Sequence, residues 1–322
     1  MRRAAHLLSC LVLSAALGGC GWVNSKGDLD HAKRATTMAG ADSVLIRYNR
    51  VRARAETSVD PAPLADIEAG PLLAIDRGAF FLRQRLPVRT KSFRFTRTQL
   101  VVAGRFDSYP LWFAMLTEAA GTDQKVAAVF TRPTSTSPWR LIEAPRLARS
   151  TQIGPVAQRE DGSAVILAAD GGEWSDGRTV QRGFPQQLVD DYAATLADPD
   201  GPTAGRFVQD SFISQMRTLA EAQPVTGVTF EQEWSALPVH HVVRLRDEGV
   251  LVFATLVRTD RYTLEGKRSL DFAGLEAAAY FSSPVTGSAT LNYRHQVLML
   301  VPAEGKPLVI GQYGGLISAS GS

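Results

Sequence analysis

The sequence predicts an α+β protein in which two helices followed by an antiparallel meander of strands occur twice. Three observations lead there. Apolar residues recur at helical spacing early in each half, runs of β-branched and aromatic residues follow them, and the stretch 150–183 between the halves is rich in turn dipeptides (Asp161-Gly162, Gly171-Gly172, Asp176-Gly177). With 45% hydrophobic and 21% charged residues over 322 positions, the chain has the composition of a globular protein and the length for one large or two ordinary domains.

The elements follow in order. Asp42 opens a helical pattern in which Val44, Tyr48, Val51 and Ala55 share one stripe, and Asp60-Pro61 breaks it. Leu64, Ile67, Leu72 and Ile75 predict a shorter helix after Pro63, interrupted near Gly70-Pro71. Phe93 and Phe95 then alternate with Arg94 and Thr96, and Leu100-Val101-Val102, Tyr109 to Leu116, Val126 to Phe130 and Trp139 to Ile142 read as strands. A short strand, Ala164 to Ala168, sits in the loop-rich stretch. In the second half Leu188, Tyr192 and Leu196 mark one helix, and Phe207, Phe212, Met216 and Leu219 another. Strands are expected at Val225 to Phe230, Val239 to Leu245, Val250 to Val257, Glu276 to Phe281, Ala289 to Val301 and Leu308 to Tyr313, with a tight turn at Arg246-Asp247-Glu248-Gly249. The expected division is a leader at 1–19, a tether at 20–30, a first α+β domain at 31–160, a linker at 161–182 and a second α+β domain at 183–318.

The leader is argued from its chemistry. Met1-Arg2-Arg3 is basic, and Ala4 to Leu17 is about 14 residues of mostly apolar sequence, too short for the ~20 that cross a bilayer. It ends in Leu17-Gly18-Gly19-Cys20, which resembles the lipobox of bacterial lipoproteins, with Gly18 where Ala or Ser is commoner. The resemblance implies cleavage between Gly19 and Cys20, acylation of Cys20, and attachment to the outer face of the cell membrane by N-terminal acyl chains. An ordinary secretory leader is the alternative. The other cysteine, Cys10, leaves with the leader, so the mature body is expected to hold neither a free thiol nor a disulfide. No later run of 18 apolar residues occurs.

The order of helices and strands in each half is similar to the cystatin-like or NTF2-like fold. Taken with the lipobox, most of the mature chain resembles the actinomycete surface lipoproteins built from two such domains. That resemblance implies location and fold, and no mechanism. Six lysines against 29 arginines agree with a GC-rich genome.

Net charge is +3, about +1 once Arg2 and Arg3 are removed, so no nucleic-acid partner is implied. Neither G-x-S-x-G, H-E-x-x-H, a P-loop nor G-x-G-x-x-G occurs, and no cofactor is implied. His240 and His241 are neighbours on a strand and point to opposite faces, while His31 and His295 lie far off, so no metal site is expected. Two Asp-x-Tyr pairs, Asp107/Tyr109 and Asp260/Tyr262, would each share a strand face and resemble the base and donor of an NTF2-like proton-transfer site; polar strand ends are the plainer reading. Tyr109, Trp112, Trp139 and Trp234 are candidates to line a pocket on a concave sheet, against the alternative of core packing. Between Arg77 and Phe106 there are eight basic residues and no acid: Arg77, Arg83, Arg85, Arg89, Lys91, Arg94, Arg97 and Arg105. Arg47, Arg50 and Arg54 share a helix face that adds to it. Of these, Arg83, Arg85, Arg89, Arg94 and Arg97 are the candidates to touch anionic lipid or an acidic wall polymer. The alternative is a solvated face, or pairing with Asp190, Asp191, Asp198 and Asp200. The function expected is a non-catalytic binding module of the cell envelope, partnered by another envelope protein, a polymer or lipid. The rivals are an enzyme using an Asp/Tyr pair and a structural partner of a membrane complex.

Overall fold

Each half places two helices before its main strands; β1 and β3 pair as a small two-stranded sheet, and the other strands join one large sheet. The computed structural model describes residues 32–87, 93–122, 124–167, 184–223 and 226–322. The first half runs β1 (Lys33–Arg34), α1 (Met38–Ser58), α2 (Gly70–Arg85), β2 (Phe95–Ala103), β3 (Arg105–Phe106), β4 (Leu111–Ala119), β5 (Lys125–Arg132), β6 (Arg140–Glu143), β7 (Arg146–Leu147) and β8 (Ile166–Leu167). The second runs α3 (Phe184–Ala197), α4 (Ser211–Glu221), β9 (Val228–Ala236), β10 (His241–Arg244), β11 (Val250–Leu264), β12 (Ser288–Val301) and β13 (Leu308–Gly321). The chain is α+β, with four helices and a large antiparallel sheet among the described residues.

The helix ends follow cap chemistry. Helix α1 starts four residues before Asp42 because Thr37 is the cap: its hydroxyl accepts from the Gly40 amide at 3.2 Å. Its buried stripe is Ala41, Leu45, Tyr48, Arg52 and Ala55, and it stops at Val59, which adopts φ 52° and returns its amide toward Ala55 and Glu56. Gly70-Pro71, expected as an interruption, is instead the first turn of α2, where proline's missing N–H costs nothing. Residues 62–66 form a separate 3-10 turn before it. Helix α4 is capped by Asp210, whose carboxylate accepts from the amides of Phe212 and Ile213. The strand expected at Glu276 to Phe281 is a 3-10 turn, Glu276–Ala279. Its Glu-Ala-Ala-Ala run has helical rather than extended preference, and burial at Ala277 needs no alternation.

The long sheet has the order β2-β4-β5-β7-β13-β12-β11-β10-β8, with β6 beside β5 and β9 beside β11. It runs across the boundary expected between two domains. β7 of the first half pairs β13 of the second through Arg146↔Gln312 and Leu147↔Gly311, and β8, inside the expected linker, pairs β10. Residues 168–182 of that linker lie outside the described residues. Strand parity shows why the halves share a sheet. On β4, Phe113 and Met115 face α1 and α2 with Tyr48, Leu72 and Phe80, whereas Trp112 and Ala114 face Val243, Leu251, Phe253 and Leu298 of the other half. On β11, Val250, Val252 and Ala254 face α3 and α4, whereas Leu251 and Phe253 face the shared middle core. Both faces of these strands are apolar, so each needs cover on both sides. The helices supply one cover and the opposite half supplies the other. Each large side chain buried this way contributes roughly 1.5–3 kcal/mol. The sheet's two ends meet, with the Ala164 amide donating to the Ala103 carbonyl at 3.0 Å. Gly104 makes that contact: a Cβ there would stand 2.7 Å from Ile166 Cδ1.

Beyond the shared core the second-half strands run on. Their far ends carry a further cluster, with Tyr262, Leu264 and Leu291 packed against Phe272, Ala277 and Val285 of the 265–287 segment.

Candidate site beneath the fourth helix

The side chains of interest come from inward positions of three neighbouring strands. Residues 258, 260 and 262 of β11 lie on one face because the pleat repeats every two residues. Antiparallel register places Trp234 and Tyr293 on either side of Arg258, and Gln232 and Leu291 on either side of Asp260. α4 lies over them with Met216 and Leu219, and the 272–277 segment closes the far side. Between helix and sheet is a cavity of about 350 Å³.

The polar groups in its wall bond to one another. Arg258 Nη2 donates to Asp260 Oδ2 at 2.9 Å, Gln232 Nε2 to Asp260 Oδ1 at 3.1 Å, and Trp234 Nε1 to Gln232 Oε1 at 2.7 Å. The guanidinium carbon sits 3.8 Å from the centre of the Tyr293 ring. Tyr262 donates to Gln223 Oε1 at 2.8 Å. His295 is held among Trp234, Phe212 and Tyr293 rings, and neither of its buried nitrogens has a hydrogen-bond partner among the described residues. Arg258 Nε is also unpartnered. Burial, helped by the Arg258 cation, pushes the His295 imidazole down to about 3, so it is neutral at ordinary pH. Burial raises the Asp260 carboxyl although Arg258 and Gln232 oppose it, and raises the Tyr293 phenol to about 12. Gly314 fixes how close β13 comes, since a Cβ there would lie 2.6 Å from His295 Nδ1.

The first half carries a buried ionic cluster of a different kind. Arg52 donates to Glu56 at 3.0 Å, to Glu68 at 2.8 Å and to Asp76; Tyr48 donates to Glu68 at 2.8 Å and Tyr313 to Asp76 at 2.5 Å. Burial and the neighbouring Asp76 charge raise the Glu68 carboxyl well above its ordinary value. A parallel arrangement recurs beside α4, where the Tyr192 hydroxyl donates to Asp210 at 2.9 Å and the Val309 amide reaches the same carboxylate.

The residues singled out in the sequence are scattered. None of the four pocket candidates lines the cavity; Trp234 lies behind its wall, bonded to Gln232 and packed on His295. Trp112 is buried in the shared core, 5.0 Å from His241, and Trp139 stands edge-on to Phe113 at 4.9 Å. Tyr109 is half-buried and Asp107 exposed, away from the cavity, whereas Asp260 and Tyr262 both line it. His240 is exposed and His241 buried against Glu143 Oε2 at 2.9 Å. Arg83 and Arg85 stack over Phe80 and Phe81, and Arg105 pairs with Asp161 at 2.7 Å. Arg47 donates to the carbonyls of Trp139 and Asp66, while Arg50, Arg54, Arg77 and Arg94 are exposed. The acids of α3 and its following turn find other partners: Asp191 pairs with Arg206 and Asp200 with Arg217 at 3.6 Å. Gly19, Cys20, His31, Arg89, Lys91 and the Arg97 side chain lie outside the described residues.

Sequence reasoning missed Arg258, Tyr293 and the role of His295. The signal was a charged residue at an inward position of the otherwise apolar run that starts at Val250.

Fold and cavity define an α+β body built on one large antiparallel sheet, with a ligand-sized space of mixed polar and apolar lining in its second half. The chain belongs to the family described as a domain of unknown function (DUF8094), whose model matches residues 32–321. It is 25% identical to an uncharacterized lipoprotein of Streptomyces coelicolor, over 97% of this chain and 93% of that protein. No solved structure matches it. The relative is a lipoprotein of an actinomycete, as the lipobox and the residue composition led one to expect. No helix among the described residues is long and apolar enough to cross a membrane.

Proposed function

We propose that this is a lipid-anchored protein on the outer face of a bacterial cell membrane, whose body binds a small ligand beneath α4 without transforming it. The observation that carries the binding role is the cavity of about 350 Å³, whose size falls in the range of ligand sites and whose polar groups converge from three strands and a helix. Asp260 is committed to Arg258 and Gln232, which suits a recognition wall better than a base that must release and take protons. The recurrence of two helices followed by antiparallel strands supports reading the halves as cystatin/NTF2-like units fused through their sheet. Leu17-Gly18-Gly19-Cys20 and the lipoprotein relative support the anchor.

Two measurements test this. Cys20→Ala should move the protein out of the membrane fraction and leave its leader uncut; equal membrane retention overturns the anchor. Native mass spectrometry of the wild-type lipoprotein, extracted gently from its own membranes, should show a bound small molecule; only the bare mass, even with concentrated envelope extract added, overturns the binding role.

A second reading has one observation in its favour: Asp260, with its raised carboxyl, and Tyr262 share the cavity wall, as a proton-transfer site would require. Substrate turnover abolished by Asp260→Asn would establish it in place of simple binding. Orientation at the membrane is a further part of the proposal. Arg50 and Arg94 line one open groove between α1 and β2, and each basic group near an anionic bilayer contributes ~1 kcal/mol.

A further inference from the structure

The cavity beneath α4 also says what kind of ligand it takes; this rests on the binding role proposed above. We infer that its ligand is an uncharged saccharide of one or two rings. The juxtaposition behind this is of aromatic faces with side-chain amides and a neutralised ion pair.

Charge comes first. The ionic side chains on the wall are Arg258, Asp260 and Glu276. Arg258 is already paired with Asp260, so the wall offers no surplus cation to a carboxylate or phosphate. A free cation is disfavoured too, because Arg258 stands beside the only buried carboxylate among the lining residues.

Hydrogen-bonding capacity comes next. Four glutamines border the space: Gln215, Gln223, Gln232 and Gln312. Gln223 and Gln232 are spent on the wall, on Tyr262 and the Leu219 carbonyl in one case and on Asp260 and Trp234 in the other. The side-chain amides of Gln215 and Gln312 make no hydrogen bond among the described residues. An amide offers donors and an acceptor at one end. That matches a hydroxyl, which is also both, and a purely apolar guest would leave these amides unpaired.

The remaining surface is aromatic and aliphatic. Tyr262, Tyr293 and Phe272 line the space, and Leu219 and Leu275, 40% and 59% exposed, form its rim. A pyranose has apolar C–H faces and a rim of hydroxyls, so it presents apolar surface to rings and hydroxyls to amides in one rigid body. A volume of about 350 Å³ is at the small end of ligand sites, which limits the guest to one or two rings.

The test uses the detergent-solubilised full chain in isothermal titration, with cellobiose, maltose and chitobiose as probes. Indole serves as an apolar comparator and glucose 6-phosphate as an anionic one. At least one disaccharide should bind, and Gln215→Ala/Gln312→Ala should weaken it by about tenfold or more while leaving the unfolding midpoint unchanged. Binding of indole or glucose 6-phosphate alone, lost in the same variant, would keep the cavity as a ligand site and overturn the saccharide. Disaccharide binding that the double variant leaves intact would place the site elsewhere and overturn the inference. No binding by any probe would overturn it together with its premise.

Discussion

The two halves each bury an arginine among polar groups, yet they use it differently. Arg52 is enclosed by three carboxyls that tie α1 to α2 and, through Tyr313, to β13. Arg258 faces one carboxylate, and among the described residues its Nε is unpartnered; it borders open space beside a histidine whose ring nitrogens have no partner there either. A buried polar group with its partners in place holds neighbouring elements in one arrangement, whereas an unsatisfied one carries a cost that a ligand can relieve. Glu68 Oε2 is likewise unpartnered among the described residues, and Arg52 and Glu56 border a cavity of about 320 Å³. What separates the clusters is that the first joins α1, α2 and β13, whereas the Arg258–Asp260 pair lies within β11, on the wall proposed for recognition.

The largest expected effect is at Arg52. Arg52→Met leaves Asp76 buried without its cation, and should cost about 3–5 kcal/mol of unfolding free energy at neutral pH. Urea denaturation followed by circular dichroism measures it. Next comes the paired tyrosine of the second half: Tyr192→Phe removes a buried hydrogen bond to the Asp210 carboxylate and should cost about 1.5–3 kcal/mol in the same assay. Gly314→Ala sets a methyl 2.5 Å from the Arg294 carbonyl and 2.6 Å from His295 Nδ1. It should cost about 1–3 kcal/mol, with the amide shifts of β12 and β13 most perturbed.

The smallest effect in stability is the most telling in sign. His295→Leu removes two unpaired nitrogens from an aromatic setting and should leave stability at pH 8 unchanged or slightly raised. Its signature is in pH dependence. The imidazole is held neutral down to about 3, below its ordinary 6.5, so from pH 6.5 to 3 the unfolded chain binds a proton that the folded chain refuses. Wild type should therefore lose up to about 1.4 kcal/mol per pH unit more than His295→Leu over that window, and nothing extra above it. Parallel curves would mean that His295 is solvated or paired.

Much of the fold was legible. Helices with an inward stripe, such as Tyr48 and Ala55 with the half-buried Val51, and Leu188-Tyr192-Leu196, were found by period alone, and so were most strands. Continuity of the sheet was not, although its trace is there. Leu111–Ala119 and Val250–Val257 are apolar almost without alternation, which signals strands covered on both faces rather than a half-wet layer. Which surface supplies the second cover is a long-range fact, and no local pattern carries it. The site was legible in part. Asp260 and Tyr262 were found by strand parity, but the same rule gave Asp107 and Tyr109, which lie in the bend between β3 and β4 and share no strand face. The basic block does not form one face, because proximity in sequence is not a shared surface. Arg83 and Arg85 lie over rings, and Arg105 meets Asp161 across 56 residues.

The proposed division between a cluster that holds the fold and a cavity that serves a ligand is tested most directly by unfolding free energies measured side by side without ligand. Gln215→Ala/Gln312→Ala, which strips the free amides from the cavity, should stay within about 0.5 kcal/mol of wild type, while Arg52→Met falls by about 3–5 kcal/mol. A double variant as destabilised as Arg52→Met, or an Arg52→Met as stable as wild type, would contradict that division.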